Sequence, residues 1–312
     1  MSKQQRETID QMLRDAPFDL GGDILVQRPL LEQMLTTHPL AHDVRTTAGE
    51  LGGVPVVIIE IADTEPKGVI FHIHGGGFAL GSATSSVGFA SDLARKAGMS
   101  AITVDYRLAP EHPFPAAIHD VTAAYQALFE RESADARIVV SGESAGGNLA
   151  LELLIAVKHR GLAMPAAAVL FSPMTDLTVT GDSYTTKADV DPNITAGAIQ
   201  TRANDYLAGT GTDPADPLVS PIFADLTGLP PLLVQAGSHE VLLDDATRLA
   251  TRAAADDVAI TLDITPDVGH VFQAFSAVLD EADQALTRAG TFIQEHVKHR
   301  SADDPATRQS DN

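Results

Sequence analysis

The chain has 312 residues, 44% of them hydrophobic, no cysteine, and 42 acidic against 21 basic side chains, a formal charge of −21. The length admits one large α/β domain or two ordinary ones, and no apolar run approaches the roughly 20 residues that span a bilayer. Disulfide frameworks, thiolate metal sites and thiol nucleophiles are excluded, and the acidic field repels nucleic acid and favours neutral ligands over anionic ones.

Residues 1 to about 42 read as helical or irregular, with no apolar leader at the N-terminus, which predicts a cytoplasmic protein. Strand signals follow over Thr46–Ile61 and Lys67–Ile73. A helix at Ser91–Ala97 closes at Gly98 before the strand Ser100–Val104. Pro113 and Pro115 open a helix through Phe129, and Arg137–Val140 is a short buried strand. Ser144–Arg160 is a helix closed by Gly161, and Ala166–Phe171 is another strand. Beyond residue 228 come strands at Pro231–Ala236 and Ala259–Ile264, with helices at Asp244–Ala255 and Phe272–His296. This alternation predicts an α/β fold with a mostly parallel sheet flanked by helices.

Two stretches depart from the alternation. Residues 1–45 carry no strand, and residues 175–228 are punctuated by Pro, Gly and Asp around one helix, Thr195–Leu207. So long a loop is unusual in a compact domain, so both stretches are expected to form a helical lid. The core is then 46–174 plus 229–298, in one domain of residues 1–312, with a disordered tail at 301–312.

Gly142-Glu143-Ser144-Ala145-Gly146 matches G-x-S-x-G, directly after one predicted strand and directly before a helix. That context makes Ser144 a candidate nucleophile on a tight strand-to-helix turn, with the helix N-terminus supplying positive partial charge. His74-Gly75-Gly76-Gly77-Phe78 ends another strand, and its glycines let backbone N–H groups face a substrate. Gly76, Gly77 and Ala145 are the expected oxyanion donors, with Gly75 as the substitute. His72 and His74 form H-x-H, but no further ligands stand close by in sequence, so no metal is expected and His74 is read as a brace for the glycine loop.

A serine at neutral pH needs a base and an orienting carboxylate, in the chain order Ser, acid, His on this fold. His270 follows the loop Pro266–Gly269 beyond a strand. His159 and His296, by contrast, sit near the ends of charged helices, where a solvated histidine is ordinary. Gly237–Asp245 holds three carboxylates. Glu240 lies in the loop past its strand and is preferred as the acid. Asp244 is the alternative, because it and Asp245 sit where a helix begins and suit a capping role.

Together these residues resemble the bacterial hormone-sensitive-lipase family of esterases and lipases. The likeness extends to Asp105–Glu111, Ser172–Leu177, Asp216-Pro217-Leu218 with Ser220-Pro221, and His270-Val271-Phe272. It implies an α/β-hydrolase fold with an eight-stranded sheet, a lid built from the N-terminal helices and the inserted segment, and ester hydrolysis without a cofactor. Two positions depart from the family pattern: Glu143 and Glu240 both stand where Asp is commoner. The expected substrate is a neutral short- to medium-chain ester, with lactones and amides as alternatives on the same triad. A receptor that binds a small ligand without turnover is a rival that His270 argues against. Oligomeric state is left open, with a homodimer as one outcome.

Overall fold

The structure is a computed structural model that describes residues 2–37, 40–132 and 137–299. The expected disordered tail lies outside the described residues. Helices α1 (Ser2–Asp15) and α2 (Ile24–Thr36) precede a sheet that opens with β1 (Val44–Leu51), β2 (Val54–Ile61) and β3 (Val69–Ile73). Helix α3 (Val87–Ala97), β4 (Ser100–Val104), α4 (Ala116–Arg131), β5 (Ile138–Glu143), α5 (Ala145–Arg160) and β6 (Ala167–Phe171) continue the alternation. The inserted segment holds the short α6 (Ser183–Thr186) and α7 (Ala196–Tyr206). Then come β7 (Leu232–Gly237), α8 (Leu243–Ala255), β8 (Ile260–Thr265) and α9 (Asp280–His299).

All eight strands form one sheet in the order β1-β2-β4-β3-β5-β6-β7-β8, in which β2 runs antiparallel to both its neighbours and the remaining pairs are parallel. The two-residue period of the strands sorts their side chains into two cores. Phe71, Val140, Leu170 and Val234 face a core built with Tyr125 of α4, Leu153 of α5 and Leu249 of α8. Their sequence neighbours Ile70, Val139, Val169 and Leu233 face the opposite core, with Leu93 of α3 and Ile293 of α9. Strands buried on both faces read as continuous apolar runs, which is why the parallel centre of the sheet was visible in the sequence. No helix among the described residues is long and apolar enough to cross a membrane.

The main departure from expectation lies after His270. The helix predicted over Phe272–His296 is broken into a 3-10 turn at Phe272–Phe275 and α9, which starts only at Asp280. Val271 adopts a left-handed backbone, φ 48°, ahead of the turn. The chain bends there to hold the His270 loop, and Asp280, Glu281 and Asp283 then complement the N-terminal end of α9.

Candidate active site

The loops that leave the C-terminal ends of β3, β5, β6, β7 and β8 converge at one edge of the sheet, where ligands bind in open α/β folds. Ser144 occupies the junction of β5 and α5 with φ 54° and ψ −121°, a strained conformation for a residue with a side chain. The junction is fixed from several sides. Ser144 N–H donates to Phe171 O at 2.9 Å, and the Ser144 carbonyl accepts from Met174 N at 3.1 Å. The flanking glycines are required by close approach: a methyl group on Gly146 would lie 2.0 Å from Ile73 O, and one on Gly142 would lie 2.2 Å from Gly146 O. Only glycine lets β5, α5 and β3 meet so tightly around the serine.

The glycine loop runs beside it. A methyl group built on Gly75 would approach the Ser144 Cβ to 3.1 Å. The N–H of Gly75, however, is committed to the Glu143 carboxylate at 2.8 Å, which removes Gly75 from the set of available oxyanion donors. The N–H groups of Gly76, Gly77 and Ala145 make no hydrogen bond among the described residues. Glu143 is therefore more than the variable residue of its motif. Its second oxygen lies 2.9 Å from His72 Nε2, and His72 Nδ1 lies 2.8 Å from Ser141 Oγ. His74 turns the other way. Its Nδ1 bonds to Gly75 O at 2.8 Å and its ring stacks on Tyr106, whose hydroxyl donates to His74 O at 2.9 Å. Burial holds the His74 pKa down, so the ring is neutral and braces the loop.

After β7 and β8, the structure brings His270 and Glu240 together: His270 Nδ1 lies 3.2 Å from Glu240 Oε2. Glu240 is fully buried, and that burial raises its pKa against the opposing pull of His270 and, more weakly, of the Ser172 hydroxyl. With Nδ1 engaged by the carboxylate, the other ring nitrogen is left for a proton from a hydroxyl. The loops are tightly set. A methyl group on Gly237 would lie 2.1 Å from Val268 O, and His239 N–H donates to Val268 O at 3.0 Å. Ser172, itself at φ 44°, accepts from the N–H of Val271, next to His270, at 3.1 Å.

The other two carboxylates of this loop point elsewhere. Asp244 accepts from Ser183 N at 2.9 Å, tying α8 to α6 of the inserted segment. Asp245 is fully buried and accepts from Thr175 N at 2.7 Å and Asp176 N at 3.0 Å, so the capping role expected for this pair is replaced by tertiary contacts. Sequence reasoning missed three supporting residues: Glu143, Ser172 and Asp191, which accepts from Val241 N at 2.8 Å and so fastens the inserted segment to the acid loop. Glu143 and Ser172 lay inside motifs already singled out. Asp191 carried no local signal.

The N-terminal segment contacts the loops of this edge. Arg28 of α2 donates to Ala79 O and Ala109 O at 2.7 and 2.9 Å and pairs with Glu111. Helix α1 packs beside the His270 loop, where Ile9, Leu13, Val268 and Phe275 line a cleft.

The pattern described as alpha/beta hydrolase fold matches residues 70–274. An esterase of Acinetobacter venetianus is 40% identical over 265 residues, 85% of this chain and 87% of that protein. An acetyl-hydrolase of Streptomyces hygroscopicus is 41% identical over 225 residues, 72% and 75% of the two chains. Among solved structures, an esterase from the bacterial hormone-sensitive lipase family superposes with a TM-score of 0.90 at 39% identity, over 94% of this chain and 98% of that one. The esterase EstE5 gives a TM-score of 0.88 at 37% identity, over 94% and 99%. The strained serine, the glycine loop and the shared eight-stranded sheet thus agree with the sequence likeness, and the chain belongs to the α/β-hydrolase family, in its bacterial hormone-sensitive-lipase branch.

Proposed function

We propose that the protein is a serine carboxylesterase in which Ser144, His270 and Glu240 act as a triad. The observation that carries the reading is the conjunction at one sheet edge of a strained, glycine-flanked Ser144 with His270 paired to a fully buried Glu240. His270 takes the Ser144 proton as the oxygen attacks the ester carbonyl. The amides of Gly76, Gly77 and Ala145 receive the developing oxyanion. His270 returns the proton to the departing alcohol, leaving an acyl-serine. It then deprotonates water, which releases the acid and restores the hydroxyl. Glu240 holds the imidazole tautomer throughout, and Glu143 sets the glycine loop through Gly75. Residues 1–45 and 175–228 serve as the lid. The acidic surface favours neutral esters, and a relative named as an acetyl-hydrolase supports short acyl groups.

The test is a series of p-nitrophenyl esters of increasing acyl length assayed with the parent protein and Ser144→Ala. Turnover is expected to peak at short to medium chains and to fall in the variant by at least about 10³-fold. Labelling by an organophosphonate should likewise vanish. Unchanged turnover in Ser144→Ala overturns the mechanism, and a rate that climbs toward long, emulsified chains overturns the substrate class.

A further inference from the structure

We infer that Arg202 is a binding residue for a second, uncharged oxygen of the ester substrate, a specificity element that rests on the esterase reading above. Arg202 lies on α7 in the inserted segment, with its side chain 4% exposed. Its aliphatic stem lies directly on the glycine loop: a methyl group built on Gly77 would be 2.5 Å from Arg202 Cγ, 2.8 Å from Cβ and 3.2 Å from Cδ. The guanidinium therefore begins one bond beyond a Cδ that lies 3.2 Å from where a Gly77 side chain would start. Glycine at position 77 makes room for this stem.

Nη2 is provided for, donating to Gly22 O at 3.2 Å and lying 3.1 Å from Asp205 Oδ2. Nε and Nη1 are buried and find no acceptor among the described residues. Buried donors, above all charged ones, are seldom left unmade in a folded protein. An arginine serving only to fasten α7 to the core would have its N–H groups satisfied there, and a hydrocarbon side chain would fill the space at lower desolvation cost. Aromatic rings stand beside the same loop. Phe78, next to Gly77, stacks on Tyr206 at 3.9 Å between ring centres, and Phe114 meets Tyr206 edge-on. Apolar walls with a few fixed polar groups are the pattern of a small-molecule site.

The local charges point to a neutral acceptor. Each nearby guanidinium already has a carboxylate, Asp205 for Arg202 and Glu111 for Arg28. A carboxylate on the substrate would add unbalanced negative charge inside a protein of net charge −21. A hydroxyl, ether or ketone oxygen in the acyl or alcohol part satisfies the donors without that cost.

The test pairs esters of equal length, one of each pair having an ether oxygen in place of a methylene, placed in turn along the acyl and alcohol parts. Each pair is assayed with the parent protein and Arg202→Met. The intrinsic effect of the oxygen on reactivity is common to both proteins and cancels in the ratio of ratios. At one or more positions the parent should favour the oxygenated ester about 10- to 100-fold more than the variant does in kcat/KM. If Arg202→Met fails to fold, Arg202→Lys, which keeps the charge but loses the planar donors, should show the preference reduced. An equal preference in parent and variant at every position overturns the inference while leaving esterase activity intact. A stronger preference for a carboxylate-bearing ester overturns the assignment to an uncharged oxygen. A parent protein inert toward every ester sinks the esterase reading and this inference with it.

Discussion

At the scale of single residues, the clearest contrast is between Ser144 and its third partner. Ser144 was legible because the constraint on it is local: a strand, a turn that excludes side chains and a helix follow one another in sequence. For the acid, loop position already favoured Glu240 over Asp244, but the two differ in where the side chain points, which packing decides. The structure sets Glu240 against His270 and Asp244 against Ser183. Replacing Glu240 by Gln is expected to lower kcat by about 10³- to 10⁴-fold, because an amide N–H facing Nδ1 enforces the wrong tautomer. Asp244→Asn keeps an acceptor for Ser183 and should leave kcat near that of the parent. Steady-state kinetics of the two variants decide the assignment, and equal losses would remove Glu240 from the triad.

At the scale of elements, most boundaries followed from their punctuation. Helices α3 and α5 stop at Gly98 and Gly161, both left-handed and both capping with backbone N–H groups. Pro115 begins α4, as expected. The break between residues 275 and 280 was invisible because the apolar spacing continues through it, and only the demand that His270 be held in a loop interrupts the helix. The contact between β3 and α5 is the tightest of the site. Gly146→Ala drives a methyl group to 2.0 Å from Ile73 O, and both partners are main chain and cannot step aside. A loss of more than about 3 kcal/mol in unfolding free energy is expected, measurable by urea denaturation. A variant as stable as the parent would mean that strand and helix part more easily than the geometry implies.

For the molecule as a whole, the architecture was readable from alternation, but the buried charges were not. Asp245 is pushed up to about 7 by burial. The unfolded chain gives up this proton near the ordinary value of 3.8, whereas the native protein keeps it to about 7. Between those values the native state holds the extra proton, so the contribution of Asp245 is greatest at the acid end and declines as pH rises, with no further change above 7. The full span corresponds to on the order of 4 kcal/mol. Glu152 and Glu240, also raised by burial, act in the same direction. Asp245→Asn keeps an acceptor for Thr175 and Asp176 while removing the titration. Its melting temperature should therefore fall less than the parent's between pH 5 and 8, and parallel curves would exclude Asp245 as a source of the slope.

The link from Ser141 through His72 and Glu143 to the N–H of Gly75 has a consequence for anyone redesigning this enzyme. Positions 72 and 143 are far apart in the chain, yet their side chains approach to 2.9 Å. Shortening Glu143 to Asp draws the carboxylate back by one methylene, so it can follow the glycine loop or the imidazole but not both. A library that varies position 143 alone samples mostly broken pairs, whereas one that varies 72 and 143 together can move the loop and still keep it anchored.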